Sequence, residues 1–452
     1  MKLLLFLFIC TIQLKEACAQ QKWNFQISFE NNAIGPINTI LYLEQKQDHF
    51  TLNSAKNGDS RIYGTIWSTL GRLKGLLPKK GKLLRIDEGN VIHLSEGVDS
   101  LFGKFYTPLI GYKQFKGIRK EMSISGSLFN GNKSIISLKG HPVENDFDFN
   151  YIGLSARIND TTKKYIYNPE LLKDKQWKKR IIKMQRFEKK AVDDLEVLLY
   201  AMRAFQNLPF SHYGLQILGK NQAEQLLLAS SNNVICKEID SNTVVMEVKS
   251  FGGEKDEMDG VFTEILKHGY KNLIVDLRNN SGGGVDAGLA FGNHLTDKDI
   301  NVGYFVTNKW VSNPSQQKNF ESFSVSTSIT TTGFIAELKQ SEGRKLLCKP
   351  SADLFRGNVY LLINNKTAST CEPIVYALKT NKIATVIGEN TAGAMLSAAL
   401  FNVKDNFWIY MPIADYYTPD KTRLDQVGVS PDLVVPSDQA LDYVLKMIEE
   451  KE

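Results

Sequence analysis

The sequence predicts an α/β protein preceded by a β-rich domain, and three patterns carry that prediction. From residue 242 to 388, short apolar runs alternate with amphipathic helical segments, the mark of a largely parallel sheet covered on both faces. Residues 20–158 instead cluster β-formers between polar turns, and residues 159–208 read as a linker followed by a helical segment.

The elements follow in order. "MKLLLFLFICTIQLKEACAQQ" has a basic start, an apolar run from Leu3 to Ile12 and then Ala17-Cys18-Ala19. This is the layout of a secretory signal over residues 1–19 cleaved near Ala19, which predicts an exported chain, periplasmic or extracellular. The run is too short to span a bilayer, and no later segment reaches roughly 18 uninterrupted apolar residues. A lipid anchor on Cys18 is the rival reading, but Lys15 and Glu16 stand where a lipobox has an aliphatic and a small residue.

In the β-rich domain, "INTILYLEQ", "SRIYGTIW" and "NVIHLSEG" read as strands. "MSISGSLFNGNKSIISLKG" reads as two strands around the Asn130-Gly131 turn, so a sandwich or open barrel is expected. His49, His93 and His141 lie here without partners at ligand or triad spacing. "NDTTKKYIYNPE" (159–170) reads as a linker, with Asn168-Pro169-Glu170 suited to start a helix. Val192, Leu195, Leu199, Met202 and Phe205 then keep a helical period that stops near Pro209. Residues 209–440 form the α/β domain, and 441–452 a closing helix.

Composition excludes several function classes. With Lys+Arg 55 against Asp+Glu 49 the charge is only +6, and the basic residues are interleaved with acids, so no nucleic-acid partner is indicated. After signal removal Cys236, Cys348 and Cys371 remain, an odd count that makes no disulfide framework, though one bond would suit an exported protein. No metal-ligand motif or organic-cofactor site is read. Gly282-x-Gly284-x-x-Ala287 formally fits a dinucleotide fingerprint, but no acid ends the next strand, since Asp297 and Asp299 precede it.

Chemistry concentrates in two stretches. "INNKTASTCEPIVYALK" (363–379) is a strand end running into a helix, which places Ser369 and Thr370 beside the unpaired first amides. Read alone, the stretch favours Ser369 or Thr370 as a simple helix cap. "DLRNNSGGGVDAG" (276–288) ends a strand in a glycine loop, where backbone amides could approach a substrate carbonyl closely.

Taken together, "NLIVDLRNNSGGG", "LINNKTASTCEPIVYALKTNKIATVIGENTAGAM" and "GVSPDLVVP" resemble the serine peptidase family of C-terminal processing (tail-specific) and tricorn core proteases. The resemblance covers residues 209–440 and implies a crotonase-like spiral of βαβ units, a peptide or protein substrate and no cofactor. It puts Ser369 at the nucleophile position. In the tail-specific branch a lysine base ends the T-x-G-K segment, whereas this chain has Thr391-Ala392-Gly393-Ala394. The tricorn-like branch uses a histidine, and "LPFSHYGLQI" supplies Ser211-His212, with Asp425 where that branch has a glutamate. The implied set is Ser369 as nucleophile, His212 as base, Ser211 holding the imidazole and Asp425 polarising Ser211. Thr370 and either Gly282 or Gly283 would donate to the oxyanion. His268 and His294 are competing histidines. The stretch between His212 and Asn242 is too short for the PDZ domain many family members carry. Two further readings share this scaffold: a non-catalytic ligand-binding protein, and an esterase using the same residues.

Overall fold

The computed structural model describes residues 21–29, 35–54, 84–107, 110–143, 150–219, 233–253, 255–313, 319–328 and 330–451. The signal segment and "SRIYGTIW" lie outside these residues. The chain divides into two compact units, residues 1–150 with 190–199, and residues 151–189 with 200–452.

The first unit is neither a sandwich nor an open barrel but a closed one. Its strands are β1 (Gln21–Phe29), β2 (Ile37–Lys46), β3 (His49–Ser54), β4 (Arg85–Ser95), β5 (Val98–Thr107), β6 (Gly111–Lys120), β7 (Ser123–Asn130) and β8 (Lys133–Pro142). Each pairs with its neighbour, and β8 returns antiparallel to β1 with Phe25 opposite Gly140. Closure removes the free edges that a sandwich would keep. The turn between β7 and β8 falls on Gly131-Asn132, one residue past the expected pair, because Asn130 stays in β7 opposite Lys133 and the positive φ of 61° is taken by Gly131.

Large side chains fill the described interior: Trp23, Phe25, Phe105 and Phe115 are all at most 1% exposed. Strand glycines make room for them. A Cβ on Gly140 would lie 2.5 Å from the Phe25 ring, and one on Gly126 2.6 Å from Phe115. Residues 190–199 belong to this unit because Asp193 Oδ2 accepts from Thr39 Oγ1 (2.9 Å) and Ile40 N (3.0 Å) on β2.

The second unit opens with a helix, Leu154–Tyr165, where the sequence reads as a linker. Leu154, Ile158 and Thr162 recur at four-residue spacing and are buried, so packing of one face overrides the polar Asn-Asp-Thr-Thr stretch. Helix Lys175–Phe187 follows, and helix Asp194–Ala204 starts in the first unit's segment 190–199 and ends in this one.

Two sheets then build the core. The first has the order β10 (Val234–Glu238), β11 (Thr243–Val248), β12 (Asn272–Asp276), β15 (Asn358–Ile363), β16 (Thr385–Gly388), β19 (Leu433–Val434), and every pair after β10–β11 is parallel. Alternation along the strands covers both faces. Leu273, Val275 and Leu361 pack with helices Lys255–His268, Val285–Asn293 and Cys371–Thr380, while Ile274, Tyr360 and Leu362 face helix Ala440–Glu449. The second sheet is antiparallel, in the order β14 (Gly343–Cys348), β13 (Ile300–Thr307), β18 (Phe407–Tyr417), β17 (Leu396–Lys404), with β9 (Gly214–Ile217) also on β18. The single parallel sheet expected from the sequence is thus accompanied by a second one. Its Phe305, Ile413 and Tyr416 join the same hydrophobic core as the helices.

Candidate active site

Ser369 sits between the end of β15 and helix Cys371–Thr380 in a left-handed conformation, φ 55°. A non-glycine residue holds such a φ only when its surroundings fix it. Here the fixing is explicit. Thr367 Oγ1 donates to Leu277 O (2.8 Å) and Ala368 N to Asn280 O (3.0 Å), stapling this turn to the glycine loop. The Ser369 amide donates to Glu372 Oε2 (3.1 Å). Glu372 is fully buried and also accepts from Ala394 N (3.0 Å), Gly393 N (2.8 Å) and Thr391 Oγ1 (2.6 Å). Burial raises its pKa above the usual carboxylate value, while these four donors pull it back. Cys371 is buried, with its thiol on Asn280 O, and burial pushes its pKa far up. It has none of the character of a nucleophile. Cys236, Cys348 and Cys371 form no disulfide among the described residues.

The glycine loop presses against this turn. A Cβ on Gly282 would stand 2.6 Å from Ser369 Cβ and 3.0 Å from Thr370 N. The sequence left Gly282 and Gly283 open as oxyanion donors, and the geometry separates them. Gly282 N–H donates to Asn280 Oδ1 (2.9 Å), so that amide is already committed. The Gly283 and Thr370 amides have no acceptor among the described residues. Both residues line the same cavity as Ser369, and Thr370 Oγ1 donates to Gly283 O (2.7 Å), tying the two together.

Ser211 and His212 lie in the turn just before β9, His212 with φ 58°. Ser211 Oγ donates to Asp425 Oδ1 (2.7 Å) and lies 2.7 Å from His212 Nδ1. With the one hydroxyl proton directed to the carboxylate, Ser211 Oγ must accept from Nδ1–H. That assigns the tautomer and leaves the Nε2 lone pair available. Burial lowers the pKa of His212, and the Asp425 charge opposes this. Asp425 is 1% exposed, and its second oxygen accepts from Arg423 Nη2 (3.1 Å). Arg423 Nε in turn holds Asp415 at 2.8 Å.

No hydrogen bond joins Ser369 Oγ to His212 among the described residues. Their surroundings are nevertheless linked. Gln426 N, next to Asp425, donates to Gly393 O (2.6 Å), and the amide of Ala394 shares Glu372 Oε2 with that of Ser369. The His212 ring also lies 5.9 Å from that of Tyr410, which lines the Ser369 cavity. The competing histidines are engaged elsewhere. His294 Nε2 is 2.8 Å from Asp259 with its ring stacked on Phe262, and His268 Nδ1 meets the Glu264 carbonyl in its own helix.

The cavity measures about 770 Å³ and is mostly apolar, with Phe251, Phe305, Phe334, Ile374 and Met395 in its walls. Among the described residues, no group of three His, Cys, Asp or Glu is placed to hold a metal ion. Sequence reasoning gave no role to Glu372, Asn280 or Arg423. The Arg423-x-Asp425 spacing was a usable signal for the last, since alternate residues of an extended segment share a side.

Residues 242–435 match the model of Peptidase family S41. The chain is 29% identical over 184 residues to the carboxyl-terminal-processing protease of Picosynechococcus sp. (41% of this chain, 36% of that protein). It is 28% identical over 182 residues to the chloroplastic C-terminal processing peptidase of Tetradesmus obliquus (39% and 32%). The chain thus spans about a third of the length of these curated relatives. Among solved structures, a lipoprotein from Streptococcus agalactiae aligns with TM-score 0.48 at 15% identity, covering 68% of this chain and 98% of that one.

Proposed function

We propose that this chain, whose α/β unit matches a serine peptidase family, cleaves peptide bonds through an acyl-enzyme on Ser369 with His212 as general base. One observation carries the reading: a closed Ser211–His212–Asp425 relay in the same unit as a serine flanked by two unpartnered amides, Gly283 and Thr370. His212 Nε2 takes the Ser369 proton as Oγ attacks the scissile carbonyl carbon. The Gly283 and Thr370 amides hold the oxyanion. His212 then protonates the leaving amine, and afterwards takes a proton from the water that hydrolyses the acyl ester. Seating a substrate has to close the gap between Ser369 Oγ and His212 Nε2, as hydrogen bonds at such sites commonly tighten only in the complex. Ala394 stands at the position of the tail-specific lysine, which argues for the histidine-based, tricorn-like branch and its crotonase-like core. The N-terminal segment argues for export. A ligand-binding role for the barrel is disfavoured by the large side chains that fill its described interior.

A fluorophosphonate probe tests the proposal. Labelling of the wild type is expected, to be lost in Ser369→Ala and cut by orders of magnitude in His212→Ala. Folded wild-type protein that takes no label sinks the reading.

A further inference from the structure

We infer that Gln216 and Tyr410 form a clamp for the peptide main chain, making the Ser369 cavity selective for amide over simple ester substrates. The inference rests on the peptidase reading and deepens it. Gln216 lies on β9 and Tyr410 on β18, and the register pairs Gln216 with Trp408, Gly214 with Tyr410, and Leu400 with Tyr410. Facing partners share a sheet face, and so do residues two apart on a strand. Gln216, Tyr410 and Leu400 therefore stand on one face, and all three line the cavity that contains Ser369. β9 starts two residues after His212, and the Tyr410 ring lies beside the His212 ring, so this wall is continuous with the base.

The wall is otherwise mostly apolar, with Ala398 and Leu400 on β17, across β18 from Gln216. Neither the Gln216 carboxamide nor the Tyr410 hydroxyl has a hydrogen-bond partner among the described residues. Polar groups in an apolar wall need a partner, which here comes from whatever occupies the cavity. Their chemistry limits what that is. Burial pushes the Tyr410 phenol up to about 12, so it is a neutral O–H donor suited to a carbonyl. The carboxamide offers one acceptor and an NH₂ donor, the complement of a peptide unit. A simple acyl ester presents carbonyls but no N–H, and leaves the Gln216 oxygen unpaired. A cavity that binds hydrogen-bonding groups rejects analogues lacking them far more strongly than an apolar pocket rejects a missing methylene.

The test is the ratio of kcat/KM for a quenched peptide, drawn from a mixed-sequence set, to that for p-nitrophenyl butyrate. Gln216→Leu and Tyr410→Phe keep the approximate size of each side chain. Each is expected to lower the ratio about tenfold or more, mainly through KM for the peptide. A ratio unchanged in both variants overturns the clamp, whether the two rates fall together or stay put. So does a wild type that labels at Ser369 and hydrolyses the ester yet cleaves no peptide. If Tyr410→Phe fails to fold, Gln216→Leu decides. Absence of fluorophosphonate labelling in the wild type instead brings down the peptidase reading itself, and the clamp with it.

Discussion

His212 is subject to two opposed influences, and their balance fixes a pH dependence. Burial is the larger and lowers its pKa, while the Asp425 carboxylate raises it. The base must be neutral to act, so activity is present above the folded-state pKa and is lost as pH falls through it. The rising limb of kcat/KM is therefore expected below about pH 6.5, the ordinary histidine value. Asp425→Asn removes the raising influence, so the midpoint should move lower still. The plateau should also drop, by about 10²-fold or more, because Ser211 loses the charge that directs its proton and so fixes the imidazole tautomer. A wild-type midpoint at or above 6.5, or one that Asp425→Asn leaves in place, contradicts this account. The four members of the proposed set were nameable only through the resemblance to the serine peptidase family, since read alone Ser369 is a helix cap and His212 a loop histidine. The state of the Gly282 amide was not, because its capture by Asn280 Oδ1 depends on backbone angles that residue types do not specify.

At the scale of elements, the nucleophile turn is held from two sides, and each side has its own test. Gly282 has φ 99°, and any side chain there meets Ser369 Cβ. Gly282→Ala should cut the fluorophosphonate labelling rate by about 10²-fold, since such a shift spoils the reacting geometry. A labelling rate within a fewfold of wild type refutes the close approach. On the other side, Glu372→Ala strips the acceptor from four donors in a fully buried place. At about 1–3 kcal/mol for each unsatisfied group, a loss of at least ~3 kcal/mol is expected in urea unfolding. A loss under ~1 kcal/mol would mean that water replaces the carboxylate. The apolar strands were legible because burial on both faces leaves runs such as "NLIVDL" and "VYLLI". Helix Leu154–Tyr165 was not, since its polar residues mimic a linker and only its tertiary partners reveal the buried face. β17 and β18 form a local hairpin around Asp405-Asn406, a turn the sequence does offer, but the pairing of β18 with β13 that makes them part of a second sheet spans about a hundred residues and leaves no local signature.

The whole molecule couples a filled eight-stranded barrel and an α/β unit along one chain that leaves the barrel at residue 150 and contributes to it again at 190–199. Strand content and a turn within one residue of Asn130-Gly131 were readable in the barrel segment. Closure was not, because it depends on β1 meeting β8 across more than a hundred residues. The return segment was hidden for the same reason. Asp193 is the N-cap of helix Asp194–Ala204, accepting from Glu196 N at 2.9 Å. Its other oxygen, however, satisfies Thr39 Oγ1 and Ile40 N on β2, and Asp194 accepts from Asn38 N at 3.0 Å. Asp193→Ala therefore removes a cap, about 1 kcal/mol, and leaves two buried donors unpaired at about 1–3 kcal/mol each. The barrel and the α/β unit have separate cores, so calorimetry should show the barrel's transition moving down by several degrees while that of the other unit moves little. Equal displacement of both transitions would mean that the two cores melt as one, and an unmoved thermogram would mean that residues 190–199 do not belong to the barrel.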